Sequence, residues 1–227
     1  MCMSEVQLTL NGIQITANSE KTILQVAKEN GIEIPTLCYI EGLLPTGACR
    51  LCVVEVEGSR TLVASCHTPV GKGMVIQTHS PKVLETRRTI LELTLASHCG
   101  TCYMCEKANV CELRRHAVDL DIGLPRFDVK KRYYQVEDIS PYIERDLSKC
   151  ILCRRCVKAC TEIARKNILS VGYRGFDSKI VYDADRALDS EACRDCGICI
   201  SHCPTGAITA PRKIGKEKKA QPLLIKG

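Results

Sequence analysis

Two stretches of the chain repeat one spacing of cysteines: Cys150, Cys153, Cys156 and Cys160 in "CILCRRCVKAC", and Cys193, Cys196, Cys199 and Cys203 in "CRDCGICISHCP". Thiolates spaced x2, x2, x3 suit a cube of iron and sulfide, because the two-residue gaps let one tight loop wrap three corners. The fourth cysteine, on the helix that follows, cannot reach back and is left to the other cube. Cys150, Cys153, Cys156 and Cys203 are therefore expected to hold one [4Fe–4S] cluster, and Cys193, Cys196, Cys199 and Cys160 a second. A pair of zinc sites is the alternative, but zinc motifs usually pair two separated C-x2-C units. Pro204 follows the second run; Thr161 takes that place after the first, which weakens a turn signal and leaves the ligands intact.

A third set, Cys38, Cys49, Cys52 and Cys66, is spaced C-x10-C-x2-C-x13-C. It partly matches a plant-type [2Fe–2S] ferredoxin, whose first gap is shorter. "GACRLC" offers a loop that can present amide hydrogens to cluster sulfurs, and Cys66 ends a strand that can close the site. Four buried structural thiols are the alternative, since free cysteine is often buried as a small apolar residue; that reading predicts no spacing pattern.

Setting these sets aside leaves Cys2, near the terminus, and a last group in "SHCGTCYMC" and the residues after it. Counted from Cys99, the group is Cys99, Cys102, Cys105 and Cys111, enough for an all-thiolate cluster. Counted from His98, it is one imidazole and three thiolates. Cys102, Cys105 and Cys111 are common to both; the fourth place stands between His98 and Cys99. A histidine at a helix end beside its carbonyls is the structural alternative for His98.

Elements must hold these loops in place. "VQLTL" and "IQITA" flank Asn11-Gly12, a two-residue hairpin signal. "TILQVAKENG" reads as a helix that Gly31 can terminate. "LCVVEV", "TLVASC" and "MVIQTH" read as further strands, which together describe a β-grasp-like sheet. Ser80-Pro81 opens a helix with apolar residues at 83, 84, 90, 91, 93 and 95. Residues 106–122 read as helical up to Gly123. Residues 124–149, rich in charge, read as an extended connector, and strand-like pieces "ILSVGY", "KIVYD" and "AITA" accompany the repeat.

Composition narrows the setting. With 17 Cys but 227 residues, the chain is too long for a small disulfide scaffold. "MCMSEVQLTLNG" shows no basic region followed by an apolar run, and nothing approaches about 18 consecutive apolar residues, so a cytoplasmic setting without a membrane span is expected. The formal charge of +6 suggests a nucleic-acid partner only while cysteine is counted as neutral. With His98 in the fourth place, fifteen ligating thiolates and four cores of about two positive charges each bring it to about −1. A zinc-bound interaction or nucleic-acid-binding protein thereby loses its main support. Arg50, Arg154, Arg155 and Arg194 lie within the ligand loops, where cations would raise a cluster's potential.

Taken in order, these motifs resemble the amino-terminal part of the large iron–sulfur subunit of respiratory NADH dehydrogenase and of iron-only hydrogenases. They are most similar to the HoxU-type diaphorase iron–sulfur subunit of NAD-linked hydrogenases, over about residues 4–210. That resemblance implies H-x3-C-x2-C-x5-C for the middle [4Fe–4S] cluster, met here by His98, Cys102, Cys105 and Cys111. Cys99 is the departure. Geometry adds secondary support: Cys99, Cys102 and Cys105 would form a tripod, normally completed from a distant helix, whereas Cys111 comes only six residues later. One neutral imidazole would leave this cluster one unit less negative and easier to reduce.

The expected fold is α+β: a β-grasp [2Fe–2S] ferredoxin-like domain over 1–80, a helical [4Fe–4S] segment with one histidine and three cysteine ligands over 81–123, the connector over 124–149, a bacterial-type two-[4Fe–4S] ferredoxin domain over 150–210, and a basic tail over 211–227. The expected function is electron transfer through one [2Fe–2S] and three [4Fe–4S] clusters, without a catalytic site. No Gly-rich dinucleotide fingerprint follows a strand, so no flavin or NAD site is expected in the chain. By resemblance, the partners are an NAD/FMN-binding flavoprotein subunit and a hydrogenase or formate dehydrogenase in a hetero-oligomer, bifurcating assemblies included. A free soluble ferredoxin is the other alternative. The connector and the tail are candidate docking surface.

Overall fold

The computed structural model describes residues 5–140, 142–182 and 190–211; Cys2 and the tail from residue 212 onward lie outside them. Strands β1 (Glu5–Leu10) and β2 (Ile13–Asn18) form the expected hairpin, with Leu8 opposite Ile15. Its turn requires positive φ at both central residues, which Asn11 (51°) and Gly12 (85°) supply. Helix α1 (Ile23–Glu29) opens on a capping box between Thr22 and Gln25. Its Ile23, Leu24, Val26 and Ala27 are buried with Leu8, Leu10, Val54 and Ile76. Strands β3 (Val53–Val56), β4 (Val63–Ala64) and β5 (Val75–Gln77) complete a sheet ordered β2-β1-β5-β3-β4. There β5 runs parallel to β1 and antiparallel to β3, the anticipated β-grasp arrangement.

Helix α2 (Pro81–Ser97) begins at Ser80, whose hydroxyl accepts the Val83 N–H. Its buried residues are Val83, Arg87, Leu91, Glu92 and Ala96, whereas Leu93 is exposed. Two charged side chains can occupy that face because each has partners. Arg87 Nη2 donates to the Val53 carbonyl at 2.8 Å, and Glu92 accepts Arg126 Nε on both oxygens, at 3.0 and 2.8 Å.

Residues 106–122 do not form one helix. Turns close from Ala108 N–H to Cys105 O and from Val110 N–H to Lys107 O, and helix α3 is confined to Glu112–Asp119. A continuous helix would separate Cys105 and Cys111 by about 9 Å along its axis and turn them to different faces; the turns avoid this. After Leu120 the chain leaves the helix through Asp121, at φ 51°, before Gly123.

The expected connector over 124–149 lacks regular structure through residue 136, and then forms strands β6 (Glu137–Ser140) and β7 (Ile143–Arg145). Strand β7 also pairs with β10 (Ile208–Thr209), which places it in the sheet of the cysteine-repeat region. Ile143 and Arg145 are buried on either side of Glu144, an alternation too short to stand out among so many charges. Strands β8 (Leu169–Gly172) and β9 (Lys179–Tyr182) form a further hairpin. Helix α4 (Arg155–Lys158), continued by a π-helical turn over Ala159–Ile163, and helix α5 (Ile198–Ser201) follow the two ligand loops. Ile143, Leu169, Ile180, Tyr182 and Ile208 share a core with Cys156, Cys160, Cys193 and Cys199.

The three cysteine regions meet at a small core of Leu37, Leu51, Leu91 and Leu113, with Cys49, Cys111 and Ile151 packed against it. Burying each leucine contributes about 1.5–3 kcal/mol. Polar contacts reinforce the junction. Glu112 N–H donates to the Pro204 carbonyl at 2.9 Å, and Arg155 forks onto the Glu112 carboxylate at 2.6 and 2.9 Å. Among the described residues no helix is long and apolar enough to cross a membrane.

Candidate iron–sulfur sites

The internal repeat extends to the backbone. Leu152 and Arg154 in the first loop, and Asp195 and Gly197 at the same positions of the second, all have positive φ, between 54° and 64°. Such turns aim successive N–H groups at one point and make anion-binding hollows of the kind iron–sulfur sites use. One bond is already formed, from Leu152 N–H to Cys150 Sγ at 3.4 Å. A small pocket here is lined by Cys150, Cys153, Cys156 and Cys203, together with Pro204 and Ile180. Cys203 thus shares a pocket with the first run's thiols. In the other group, Cys199 is influenced by Cys193, Cys160 and Cys196. Burial, then neighbouring thiols, pushes Cys199 up to about 12. Burial likewise takes Cys150 to about 11 and Cys153 to about 12. Such thiols would give up their protons on holding a cationic core, which would couple cluster insertion to proton release.

In the β-grasp region Cys38 lies within hydrogen-bonding reach of Cys49, and Cys52 of Cys66. The Cys49 thiol lowers Cys38 to about 6, and the Cys66 thiol does the same for Cys52. Backbone amides of Ala48 and Cys49 also point at Cys38, and those of Leu51 and Leu37 at Cys49. The loop depends on Gly47: at φ 64° a Cβ would fall 2.9 Å from the His67 ring.

The middle group starts where α2 ends. His98 is the C-cap, Cys99 follows, and Gly100 at φ 75° turns the chain into a 3-10 turn over Cys102–Met104. Cys111 is the N-cap of α3; burial pushes its thiol up, and the amides of Arg114 and Leu113 oppose this. Cys111 is influenced by Cys105 and Cys102. His98 and Cys99 are both buried. His98 Nδ1 accepts the Gly100 N–H at 3.2 Å and lies 3.8 Å from Cys99 Sγ, while that sulfur lies 3.4 Å from Thr101 Oγ1. Burial holds the His98 pKa below its ordinary value, so the ring is neutral and has a lone pair for a metal. With Nδ1 accepting, the ring proton sits on Nε2. Ligation through Nε2 would move that proton to Nδ1 and give up the Gly100 bond. Gly206, just past Cys203, approaches this site so closely that a Cβ there would lie 3.3 Å from Cys105 Sγ.

Buried donors test whether clusters fit. Thr46 Oγ1, the Nε of Arg87, Arg132 and Arg155, and the Tyr182 hydroxyl meet no hydrogen-bond partner among the described residues. A buried polar group left so costs about 1–3 kcal/mol, and the three arginines and the tyrosine each interact with a thiol set. Thr46 precedes Cys49 by three residues. Arg87 interacts with Cys52, Arg132 with Cys150, Arg155 with Cys153, and Tyr182 with Cys199, Cys156 and Cys193. Cluster sulfur is an acceptor suited to all of them. Among the described residues no three His, Cys, Asp or Glu side chains gather as a single metal ion requires; a cubane instead gives each thiolate its own iron. The cations expected near clusters are partly redistributed. Arg50, Arg154 and Arg194 are exposed, and Arg194 pairs with Glu191, whereas Arg132, Arg145 and Arg155 interact with the first run. Arg87 is detectable in the sequence only as a charge spaced by four between Val83 and Leu91, and Tyr182 leaves no signal there beyond its strand.

Comparison with known proteins agrees with this geometry. Residues 3–81 match a 2Fe-2S iron–sulfur cluster binding domain, residues 87–126 the NADH-ubiquinone oxidoreductase-G iron–sulfur binding region, and residues 140–209 the ferredoxin-like domain of NADH-quinone oxidoreductase subunit 3. A chain in the crystal structure of NAD+-reducing [NiFe]-hydrogenase in the H2-reduced state superposes with a TM-score of 0.79. It is 30% identical, over 96% of this chain and 91% of that one. The chain belongs to the iron–sulfur subunit family of NAD-linked hydrogenases and NADH-quinone oxidoreductases. Another member of this family, the NADP-reducing hydrogenase subunit HndD of Solidesulfovibrio fructosivorans, is 41% identical over 91% of this chain and 36% of its own length. The mitochondrial NADH-ubiquinone oxidoreductase 78 kDa subunit of Neurospora crassa is 34% identical over 91% and 28%. The chain therefore spans only about a third of the length of these curated relatives.

Proposed function

We propose that the chain is a multi-cluster electron-transfer subunit of a cytoplasmic redox complex, with no catalytic site of its own. Cys38, Cys49, Cys52 and Cys66 hold a [2Fe–2S] cluster. His98, Cys102, Cys105 and Cys111 hold the middle [4Fe–4S] cluster. Cys150, Cys153, Cys156 and Cys203 hold a second cubane, and Cys193, Cys196, Cys199 and Cys160 a third. Domain limits follow the sequence reading, except that the ferredoxin-like unit begins near residue 137. The observation that carries this reading is the pocket that joins Cys203 to Cys150, Cys153 and Cys156, which supports an exchange of fourth cysteines between the two runs. Two isolated zinc motifs have no use for such an exchange. The contacts joining the cysteine regions at Leu113, Glu112 and Pro204 support a continuous route for electrons.

Electrons pass between an NAD-linked flavoprotein subunit and a hydrogenase or formate dehydrogenase, within a hetero-oligomer. Affinity purification of the chain from its native cells under anaerobic conditions tests this. It should recover a large assembly containing a flavoprotein that reduces NAD and a terminal dehydrogenase or hydrogenase. Recovery of the chain as a monomer with its clusters would favour the free ferredoxin.

A further inference from the structure

Tyr182 ends β9 and is 2% exposed. Its ring shares a core with Cys156, Cys160, Cys193 and Cys199, so the side chain stands among thiols of both runs. The hydroxyl meets no hydrogen-bond partner among the described residues. A buried phenol keeps its proton at neutral pH and can donate, and this one lies close enough to Cys199, Cys156 and Cys193 to interact with them. The other side of the arrangement is fixed. Arg145 Nη1 donates to the Ile180 carbonyl at 2.7 Å, and its guanidinium carbon lies 4.3 Å from the Tyr182 ring centroid. A cation over the ring draws electron density from the phenol and makes its O–H a stronger donor. Phenylalanine would fill this core equally well, so packing alone leaves the hydroxyl unexplained.

We propose that the Tyr182 hydroxyl donates a hydrogen bond to sulfur of the cubane held by Cys160, Cys193, Cys196 and Cys199, and by doing so raises that cluster's reduction potential. The inference rests on the cluster assignment above. A hydrogen bond to cluster sulfur stabilises the extra negative charge of the reduced form, and hydrogen bonding to sulfur is one of the properties that set such potentials. Tyr182 is a positioning residue in this role: it moves no electron itself.

The test is a redox titration of the reconstituted full chain, monitored by electron paramagnetic resonance, with the cubane's signal identified by its loss in Cys160→Ala. Tyr182→Phe should shift that cluster's one-electron equilibrium about tenfold toward the oxidised form, about 59 mV, and leave the [2Fe–2S] cluster unmoved. Fluorotyrosine at 182, nearly the same shape and a stronger donor, should shift it the opposite way, and carries the test if the phenylalanine chain does not retain the cubane. An unmoved potential, or an equal shift of every cluster, overturns the proposal while the cubanes remain. Absence of any cubane signal from the wild-type chain overturns the cluster assignment, and the proposal with it.

Discussion

Cys203→Ala is expected to cost the chain the cubane of the first run and to spare that of its own. Cys150, Cys153 and Cys156 line the pocket that contains Cys203, and Cys203 interacts with each of them. Cys160→Ala should do the reverse, because Cys160 acts with Cys193 and Cys196 on Cys199. Each variant should lose about four iron atoms, or convert the affected cubane to a three-iron form, with the remaining clusters intact. Iron analysis and electron paramagnetic resonance of the two proteins side by side check this. Loss of the second-run cubane in Cys203→Ala would mean that each run closes its own cluster.

The second large effect is expected at the middle site. His98→Ala should abolish that cluster's signal, whereas Cys99→Ala should retain it. His98 is buried and neutral at the end of α2, and Cys99 Sγ is already within reach of Thr101 Oγ1. His98→Cys would supply a thiolate and one more negative charge; it should keep the cluster but lower its potential. Retention of the signal in His98→Ala together with its loss in Cys99→Ala would transfer the fourth place to Cys99. In the wild-type chain, a middle cluster titrating lowest of the four would contradict the charge argument for an imidazole ligand.

The sequence was most legible where structure is local. Asn11-Gly12 allows one kind of tight hairpin, Thr22 and Gln25 mark a helix start, and the two-residue gaps of the cysteine runs demand a wrapped loop. The repeat was legible because its spacing is local to two short loops, and the positive φ positions repeat with it. Features that depend on distant partners were hidden. Nothing near Arg87 announces that the Val53 carbonyl, 34 residues away, will accept its hydrogen bond. Strand β7 has only two buried side chains, and its partner β10 lies past both cysteine runs. Residues 106–111 have helix-compatible composition but become turns, which keep Cys105 and Cys111 from being drawn apart along a helix axis. The choice between His98 and Cys99 stayed open to spacing because adjacent residues offer nearly the same reach.

The proposed function stands on one [2Fe–2S] and three [4Fe–4S] clusters in a single chain. Mössbauer spectroscopy of the anaerobically reconstituted, iron-57-labelled full chain, with iron, sulfide and zinc analysis of the same sample, measures all four together. The expected result is a brown protein with about fourteen iron atoms per chain, divided between one two-iron and three cubane components. A colourless protein containing only zinc, or a stable iron count with a whole cubane missing, would contradict it.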